Sequence, residues 1–365
     1  MKLLMITGDR ALAAGKHGAF YNTLEEFHKY WDRVDILCPN IKGRMSNVEC
    51  LFENVFIHSS PWPLFLQPLW ILKKGSELFR HSSFDLFTCH DYPPFYNGIG
   101  GWLLHYTTGL PYVLEIMHTP GYPRAAGFKE QLYKNIMRWF VRYDAMPATA
   151  IRVINERQTQ EFLINAGVPK EKIKYIPASY IDLEVFRPTD VPKEYDMIFV
   201  GRLVKNKGAD LFLEATRLAD VKVAIIGSGP LENSLKQKAR DYKLKIVFHG
   251  WAKNSTEIAN LLNKSRLLVM PSYNEGGPRV VLEAMACGVP VLATAVGIVP
   301  DILSDKKSGR IIGWDAHDIA RNVREILDDQ TQYAQMRMAG LDIARQFEKE
   351  TAIKNYADEL KRFVG

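Results

Sequence analysis

Cysteine is scarce in this sequence of 365 residues. There are four cysteines, and their spacing matches none of the paired arrangements that bind metal ions. Each one lies in or beside an apolar run, where this small side chain is commonly buried. We therefore expect a reducing, cytoplasmic location for the protein. The residues are Cys38, Cys50, Cys89 and Cys287.

Long hydrophobic runs are also missing. The first ten residues, MKLLMITGDR, contain a short apolar run that stops at Gly8, which is too short for a signal-peptide core or a membrane span. The longest interval without a formal charge, residues 54–72, contains three prolines and several polar groups. A spanning helix is therefore not expected there, and the first run is expected to be a buried strand.

Neither sign of charge dominates the sequence. The 47 lysines and arginines stand against 41 aspartates and glutamates, which gives a net charge of +6. This small excess is spread over both halves of the chain, whereas proteins that grip a nucleic-acid backbone concentrate it on one surface. We therefore expect no nucleic-acid partner.

Short apolar runs alternate with longer amphipathic segments along the whole chain, which is typical of parallel sheets covered by helices. A stretch rich in proline and charge, FRPTDVPKEY, separates two such series and predicts a linker near residues 186–195. We predict an N-terminal domain over residues 1–185 and a C-terminal domain over residues 186–349. Ligands of such sheets bind beyond the carboxyl ends of the strands, so we expect the active site in a cleft between the two domains. The predicted strands are LLMIT, VDILC, FDLFTC, YVLEIM, AIRVI and IKYIP in the first series and DMIFV, VKVAIIG, KIVFHG, RLLVMP and VPVLAT in the second.

The segment PSYNEGGPRVVLEAMACGVPVLATAVG, residues 271–297, carries two glutamates around a predicted helix start. Glu275 lies in the loop after the strand RLLVMP, and Glu283 lies on the helix that begins near Pro278. The N-terminus of a helix attracts anions such as phosphate, and paired glycines let the backbone approach a ligand closely. Carboxylates in front of a phosphate site suit a ligand that carries hydroxyls as well, so the segment predicts a nucleotide-sugar site.

A second segment, FVGRLVKNKGADLFLEA, places cations at another strand end. Gly201 and Arg202 end the strand DMIFV, and Lys207 precedes the next helix. A guanidinium fork and an ammonium point charge at such positions can bracket a diphosphate.

These motifs resemble retaining glycosyltransferases of family four, which have the GT-B architecture of two Rossmann-like domains facing across a cleft. The resemblance is strong over residues 173–347, where GRLVKNKG, IIGSGPL, FHGW, MPSYNEGGPRVVLEAMACGVPVLATAVG and RQFEKETAIKNYADEL follow the family pattern in order and spacing, and it is looser over residues 1–172. It implies that the last helix, residues 350–365, returns to the N-terminal domain.

In the C-terminal domain, the resemblance implies that Glu275 contacts the hydroxyls of the donor sugar and that Glu283 binds the ribose. Arg202 and Lys207 would hold the diphosphate and would act in catalysis together with Glu275. The remaining donor-binding positions are Gly201, Gly276, Gly277 and Trp251, where Trp251 has the alternative role of a core aromatic residue.

In the N-terminal domain, His118 in EIMHTPG resembles a family histidine near the transferred sugar and is a catalytic candidate. Gly15 lies in the loop that faces donor and acceptor in the family. His90 and Asp91 end the strand FDLFTC and are interpreted as acceptor-side residues, with strand-end capping as the alternative.

The resemblance implies a retaining hexosyltransferase of polysaccharide or glycoconjugate biosynthesis. Its donor would be a UDP- or GDP-linked sugar, and its acceptor a glycan, a lipid-linked saccharide or a small molecule. The sequence contains no Asp-x-Asp pair, with which many transferases hold Mg²⁺, so we expect no metal and no other cofactor. Two alternatives stay open: a nucleotide-sugar sensor without turnover, and another two-Rossmann enzyme such as an epimerase or a phosphorylase.

Residues 127–143, GFKEQLYKNIMRWFVRY, read as a helix with a basic stripe formed by Lys134, Arg138 and Arg142. An apolar arc lies beside the stripe, which is how helices bind anionic membrane surfaces. We therefore predict peripheral association with the inner face of the cell membrane. The alternative is that the arc packs into the domain core and the stripe is its solvated edge. The arc comprises Leu132, Ile136, Trp139, Phe140 and Tyr143, and Trp62, Phe65 and Trp70 are a second candidate contact.

Overall fold

The computed structural model describes residues 1–16, 18–39, 49–303 and 306–364. The chain divides into two compact units, and each is built from more than one segment. Residues 120–132 and 179–185 belong to the C-terminal unit, whereas the sequence predicted them in the N-terminal domain. The N-terminal unit comprises Met1–Thr119, Tyr133–Ala178 and Glu350–Gly365, and the C-terminal unit comprises Pro120–Leu132 and Ser179–Lys349.

Each unit contains one sheet, and within the described ranges all strand pairs except one are parallel. The strands are β1 Lys2–Ile6, β2 Arg33–Cys38, β3 Glu49–Leu51, β4 Val55–Ser59, β5 Leu86–His90, β6 Tyr112–Ile116, β7 Ala150–Val153, β8 Ile173–Tyr175, β9 Tyr195–Val200, β10 Val223–Ile226, β11 Ile246–Gly250, β12 Ser265–Met270, β13 Val291–Thr294 and β14 Arg310–Ile312. The order is β3-β4-β2-β1-β5-β6-β7-β8 in the N-terminal unit and β11-β10-β9-β12-β13-β14 in the C-terminal unit. All eleven predicted strands are present. The antiparallel pair is β3 with β4.

Helices connect the strands in both units. They are α1 Arg10–Ala13, α2 Ala19–Phe27, α3 Gln67–His81, α4 Tyr96–Thr108, α5 Phe128–Ala145, α6 Gln158–Asn165, α7 Ala209–Ala219, α8 Glu232–Asp241, α9 Ser255–Asn263, α10 Arg279–Ala286, α11 Val299–Ile302, α12 Ala316–Asp328, α13 Gln330–Arg345 and α14 Lys349–Lys361. None of the helices among the described residues combines the length and the apolar character that crossing a bilayer requires.

The last helix, α14, completes the N-terminal unit, as predicted. Its apolar face is buried, and the Tyr356 ring stacks on Phe27 with 4.8 Å between the ring centroids. The Tyr356 hydroxyl donates a hydrogen bond of 2.7 Å to Glu115 Oε1. Because that carboxylate is itself buried in β6, the helix closes over a charged interior group.

The segment predicted as a linker is attached to the C-terminal unit. The Asn263 side chain accepts a hydrogen bond from the Thr189 amide at 2.9 Å and donates one to the Arg187 carbonyl at 3.0 Å. Phe186, just before these residues, is buried in the core that surrounds β12 and α10. The stretch rich in proline and charge therefore has no regular secondary structure near its start but is fixed to the C-terminal unit by hydrogen bonds and by the burial of Phe186.

Candidate active site

The carboxyl ends of β9, β10 and β11 meet through backbone contacts that require glycine. A Cβ atom on Gly227 would lie 1.9 Å from the Gly201 carbonyl oxygen, so a side chain does not fit there. The Gly227 amide donates to the Gly250 carbonyl at 2.7 Å, and the Gly201 amide donates to Ile226 at 2.9 Å. The loops that follow the three strands are therefore held together by main chain.

The loop after β12, which carries Glu275, is fixed from two sides. The Tyr273 amide donates to the Asn206 carbonyl at 2.8 Å, which ties the loop to the turn after β9. On the other side, a Cβ atom on Gly297 would lie 2.2 Å from the Gly276 carbonyl oxygen. Gly297 also has a φ of +56°, a left-handed conformation that favours glycine. Gly276 therefore has its position set by the loop after β13.

Lys207 and Glu275, which the sequence placed in the same site, form an ion pair between Nζ and Oε1. Lys207 ends a 3₁₀ turn, Lys205–Lys207, and Glu275 lies in the neighbouring loop. Only 22% of the lysine side chain and 13% of the glutamate side chain are exposed, so water screens the pair weakly. An ammonium group has three N–H donors, so Lys207 can bond Glu275 and an anionic ligand at the same time.

Arg202 follows β9 and Trp251 follows β11, the two strands on either side of β10 in the sheet of the C-terminal unit. The backbone beside Arg202 is fixed, because the Leu203 amide donates to Ser228 at 2.9 Å, and the Arg202 side chain is exposed. Trp251, just after β11, is 67% exposed. The alternative interpretation of Trp251 as a core residue is therefore wrong.

Glu283 lies on α10 behind the loop, as the sequence predicted. Burial raises the pKa of its carboxyl group above the ordinary value, and the charge of Arg279, one helical turn earlier, opposes this shift. The Arg279 guanidinium lies 4.6 Å from the centroid of the Tyr180 ring, and its buried Nε has no hydrogen-bond partner among the described residues. Arg279 was not predicted as a site residue, although its place one turn before Glu283 is a signal for it.

Asn274, which the sequence reasoning missed, holds the loop against a distant segment of the same unit. The residue is 1% exposed, and its amide donates to Glu130 Oε2 at 2.8 Å and to the Arg124 carbonyl at 3.1 Å. The same Glu130 oxygen accepts from the Ala126 amide at 2.7 Å. Residues 120–132 thereby support the residue that precedes Glu275. No local pattern reveals a contact between positions so far apart.

Aromatic side chains reinforce this attachment. Trp314 donates from its indole nitrogen to the Ser272 carbonyl at 2.9 Å, and its ring stacks with Tyr273 at an interplanar angle of 12°. The Arg124 guanidinium lies 5.4 Å from the centroid of each ring. The loop before Glu275 is therefore clamped by hydrogen bonds and by cation–π contacts.

His90, predicted on the acceptor side, is held in a buried network of the N-terminal unit. Its Nε2 pairs with Glu115 Oε2, and its Nδ1 lies 3.3 Å from the Thr7 hydroxyl. The other oxygen of Glu115 bonds Arg152 Nη1 at 2.7 Å. Burial by itself would raise the pKa of Glu115, but the charges of His90 and Arg152 lower it to about 2. These contacts give His90 a structural anchor, and its acceptor role stays a prediction.

Asp91 is buried beside a second carboxyl group, Asp144 of α5. A Cβ atom on Gly98 would lie 2.5 Å from Asp91 Oδ2 and 2.1 Å from Asp144 Oδ1, so both groups crowd the start of α4. Burial, followed by the charge of Asp144, raises the pKa of Asp91 well above its ordinary value, and burial raises the pKa of Asp144 as well. The pair therefore retains a proton at higher pH than ordinary carboxyl groups do.

His118 and Gly15 are the other predicted residues of the N-terminal unit. His118 is half-buried two residues after β6, and Gly15 is exposed between α1 and α2. β1, β5 and β6 are neighbours in the sheet, so their carboxyl ends form one edge. A pocket of about 370 Å³ opens there, and Asp91 is among its lining residues together with Gly8, Arg10, Tyr92 and Asn97. Within the described parts of the chain, no group of three or more histidine, cysteine, aspartate or glutamate side chains is placed to hold a metal ion.

Two family models match the chain and together cover most of it. The model of glycosyl transferases group 1 matches residues 183–342, and the model of glycosyltransferase family 4 matches residues 19–180. The chain is a family 4-like glycosyltransferase. Its two Rossmann-like units are those of the GT-B architecture, as predicted.

Relatives of this glycosyltransferase include an uncharacterized glycosyltransferase of Methanocaldococcus jannaschii, which is 24% identical over 83% of each chain. The D-inositol 3-phosphate glycosyltransferase of Mycolicibacterium smegmatis is 32% identical, and the match spans 55% of this chain and 50% of that protein. Among solved structures, sucrose-phosphate synthase of Thermosynechococcus elongatus is similar in fold, with a TM-score of 0.82 and 18% identity over 99% of this chain and 98% of that one. HepE of Anabaena, in complex with UDP and glucose, has a TM-score of 0.75 and 19% identity over 99% of this chain and all of that one.

Proposed function

We propose that this glycosyltransferase moves a hexose from a nucleoside diphosphate sugar to an acceptor hydroxyl and retains the configuration of the anomeric carbon. The observation that carries the proposal is the ion pair of Lys207 with Glu275, held in fixed loops at the carboxyl ends of β9 and β12. It combines a cation for phosphate with a carboxylate for sugar hydroxyls. Both groups are mostly shielded from water, which strengthens their contacts with a ligand.

The donor is proposed to be linked to UDP, with GDP as the alternative. The complexes of HepE with UDP and with UDP-glucose support UDP as the first nucleotide to test. In this assignment the diphosphate contacts Arg202 and Lys207, the ribose contacts Glu283, and the sugar contacts Glu275. Gly201, Gly276 and Gly277 offer backbone groups to the donor, and Trp251 offers an exposed ring near the base.

The acceptor is proposed to be a glycan, a lipid-linked saccharide or a small polyol such as an inositol phosphate. The D-inositol 3-phosphate glycosyltransferases among the relatives support testing the last class. Gly15, His90 and Asp91 are the proposed acceptor-side residues, and His118 is proposed to contact the transferred sugar. A cytoplasmic location is part of the proposal, and the four unpaired cysteines support it. Association with an anionic membrane surface is a separate proposal, because it rests on a different part of the molecule.

The reaction proposed here needs stabilisation of two developing charges. The bond between the anomeric carbon and the phosphate oxygen breaks with both electrons going to the phosphate. The acceptor oxygen bonds the same face of the sugar, and its proton passes to the leaving phosphate. Arg202 and Lys207 stabilise the negative charge on that phosphate, which gives them the role that Mg²⁺ has in metal-dependent transferases. Glu275, which pairs with Lys207, binds the sugar as positive charge develops on the ring.

The experiment is a donor screen with UDP- and GDP-linked hexoses, with and without acceptors, in which released nucleotide is measured. We expect nucleotide release that increases with acceptor, and a product whose anomeric configuration matches that of the donor. Binding without release would indicate a sensor, and an isomerised nucleotide sugar would indicate an epimerase. Sugar phosphate formed without any nucleotide would indicate a phosphorylase. Glu275→Ala is the control, because release that survives in it comes from another protein in the preparation.

A further inference from the structure

The helix α5 presents large apolar side chains to solvent along one face. The exposed fractions are 45% for Leu132, 38% for Ile136, 65% for Trp139 and 41% for Tyr143. The buried face of α5 is formed by other residues, among them Met137 and Val141. Packing of the whole apolar arc into the core, the alternative left open by the sequence, is therefore wrong. Phe140 is half-buried and belongs to the flank of this face.

Cations line one side of the exposed face. Successive residues of a helix differ by about 100°, so Lys134, Arg138 and Arg142 form one stripe, and Ile136, Trp139 and Tyr143 form the next. None of these three cations takes part in an ion pair within the described part of the chain. The Arg142 guanidinium lies 4.6 Å from the centroid of the Tyr143 ring, so the two stripes are in contact. Both acidic residues of α5 point elsewhere, because Glu130 bonds Asn274 and Asp144 is buried.

We propose that this surface of α5, defined by the two stripes, binds the anionic surface of a lipid bilayer. Tryptophan and tyrosine with arginine and lysine beside them are the side chains that settle at the boundary of headgroups and acyl chains. A second copy of the chain fits less well, because two such surfaces face to face would oppose cation to cation. Of the second candidate contact, Trp70 is 5% exposed and belongs to the core, whereas Phe65 is 66% exposed; the surface proposed here is formed by α5 alone. The inference does not depend on the reaction proposed above.

The test is co-sedimentation of the full chain with vesicles of phosphatidylcholine mixed with phosphatidylglycerol, and with vesicles of phosphatidylcholine alone. We expect binding to the mixed vesicles at low salt, weakened by added salt because surface charges are screened. Each cation near an anionic surface contributes about 1 kcal/mol, which is about fivefold in affinity. The triple variant Lys134→Gln, Arg138→Gln, Arg142→Gln should therefore bind about a hundredfold more weakly.

The matched control removes three exposed cations from the C-terminal unit: Arg240→Gln, Lys243→Gln, Lys245→Gln. It has the same net charge as the triple variant of α5 and should bind nearly as the wild type does. Trp139→Ala should lose of the order of tenfold, since it removes one large apolar side chain from the interface. Transfer to a soluble acceptor should be unchanged in all of these variants, which keeps the two proposals separately testable.

Three results would overturn the inference. The first is no binding of the wild type to the mixed vesicles at low salt. The second is an equal loss of binding in the matched control, since the net charge alone would then account for it. The third is a dimer in light scattering that Trp139→Ala converts to a monomer, which would make the surface an interface between copies of this chain.

Discussion

Replacing Gly297 with alanine should displace the loop that carries Glu275 without replacing any residue proposed to bind the donor. The added Cβ would lie 2.2 Å from the Gly276 carbonyl oxygen, whereas ordinary contacts begin at 3.4 Å, so the loop must move by roughly 1 Å. A misplacement of this size costs on the order of a hundredfold in rate when catalytic groups depend on their position. The left-handed φ of +56° adds about 1–2 kcal/mol of backbone strain.

The assay is nucleotide release from the donor found in the screen, together with thermal unfolding of the same preparations. Gly109→Ala is the matched control, because Gly109 has a φ of +70° but no atom within 4 Å of the added Cβ. Gly109→Ala should lower the free energy of unfolding by a similar amount, because the alanine is strained by the same left-handed backbone conformation, and its turnover should stay at the wild-type value. Turnover near the wild-type value in Gly297→Ala would refute the reasoning that the loop after β13 sets the position of Glu275.

Four further predictions concern charged groups. Glu275→Ala should lower kcat by about two to three orders of magnitude, the cost of losing one preorganised transition-state contact, and near-normal turnover at saturating donor would contradict its role. Glu283→Gln should weaken donor binding, measured by calorimetry. The variant should also unfold at a higher temperature than the wild type at neutral pH, because the pKa of Glu283 is raised in the folded state and its ionisation therefore destabilises the fold as pH rises. This gain should shrink as pH falls towards about 4.3, the unfolded value, and a constant gain would argue against burial as its cause. Asp144→Asn should raise the unfolding temperature most at alkaline pH, because in the wild type both Asp91 and Asp144 must ionise there in spite of their raised pKa values. Thermal unfolding measured across pH is the test, and a lower unfolding temperature of the variant at alkaline pH would contradict this account. Activity should persist in excess EDTA, since Arg202 and Lys207 are proposed to stabilise the leaving phosphate, and a loss that Mg²⁺ restores would rule out the metal-independent reaction.

The C-terminal unit was the more predictable of the two because its site depends on local signals. Predicted runs of five to seven residues overlap β9 to β13, and glycines near the ends of these strands make close backbone contacts. β14 was missed because it has only three residues and one of its side chains is an arginine. The closeness of Lys207 and Glu275 could be predicted from two segments that each follow a strand, since neighbouring parallel strands end at the same edge, but their ion pair was not predicted.

Contacts between residues far apart in the sequence could not be predicted from local sequence patterns. Asn274 and Glu130 are 144 positions apart, and neither lies in a motif that refers to the other. Residues 120–132 belong to the C-terminal unit because of such contacts, so the domain bounds predicted from the sequence did not assign them to that unit. β4 was missed for a different reason, because a buried histidine, His58, interrupts its apolar pattern. The His58 Nε2 lies 2.7 Å from Asp35 Oδ1 on the adjacent strand.

The return of α14 to the N-terminal unit has a consequence for how the protein is made. Roughly 170 residues, Ser179–Lys349, are synthesised after the main part of that unit and before its last helix. At the usual rates of translation this takes on the order of 10–30 s. During that interval the synthesised chain includes His90 and Arg152, the partners of the Glu115 carboxylate, but not Tyr356 or the helix that covers the carboxylate. The N-terminal unit therefore lacks the helix that covers this cluster until α14 has been synthesised, and its folding can be completed only after the C-terminal unit has been made.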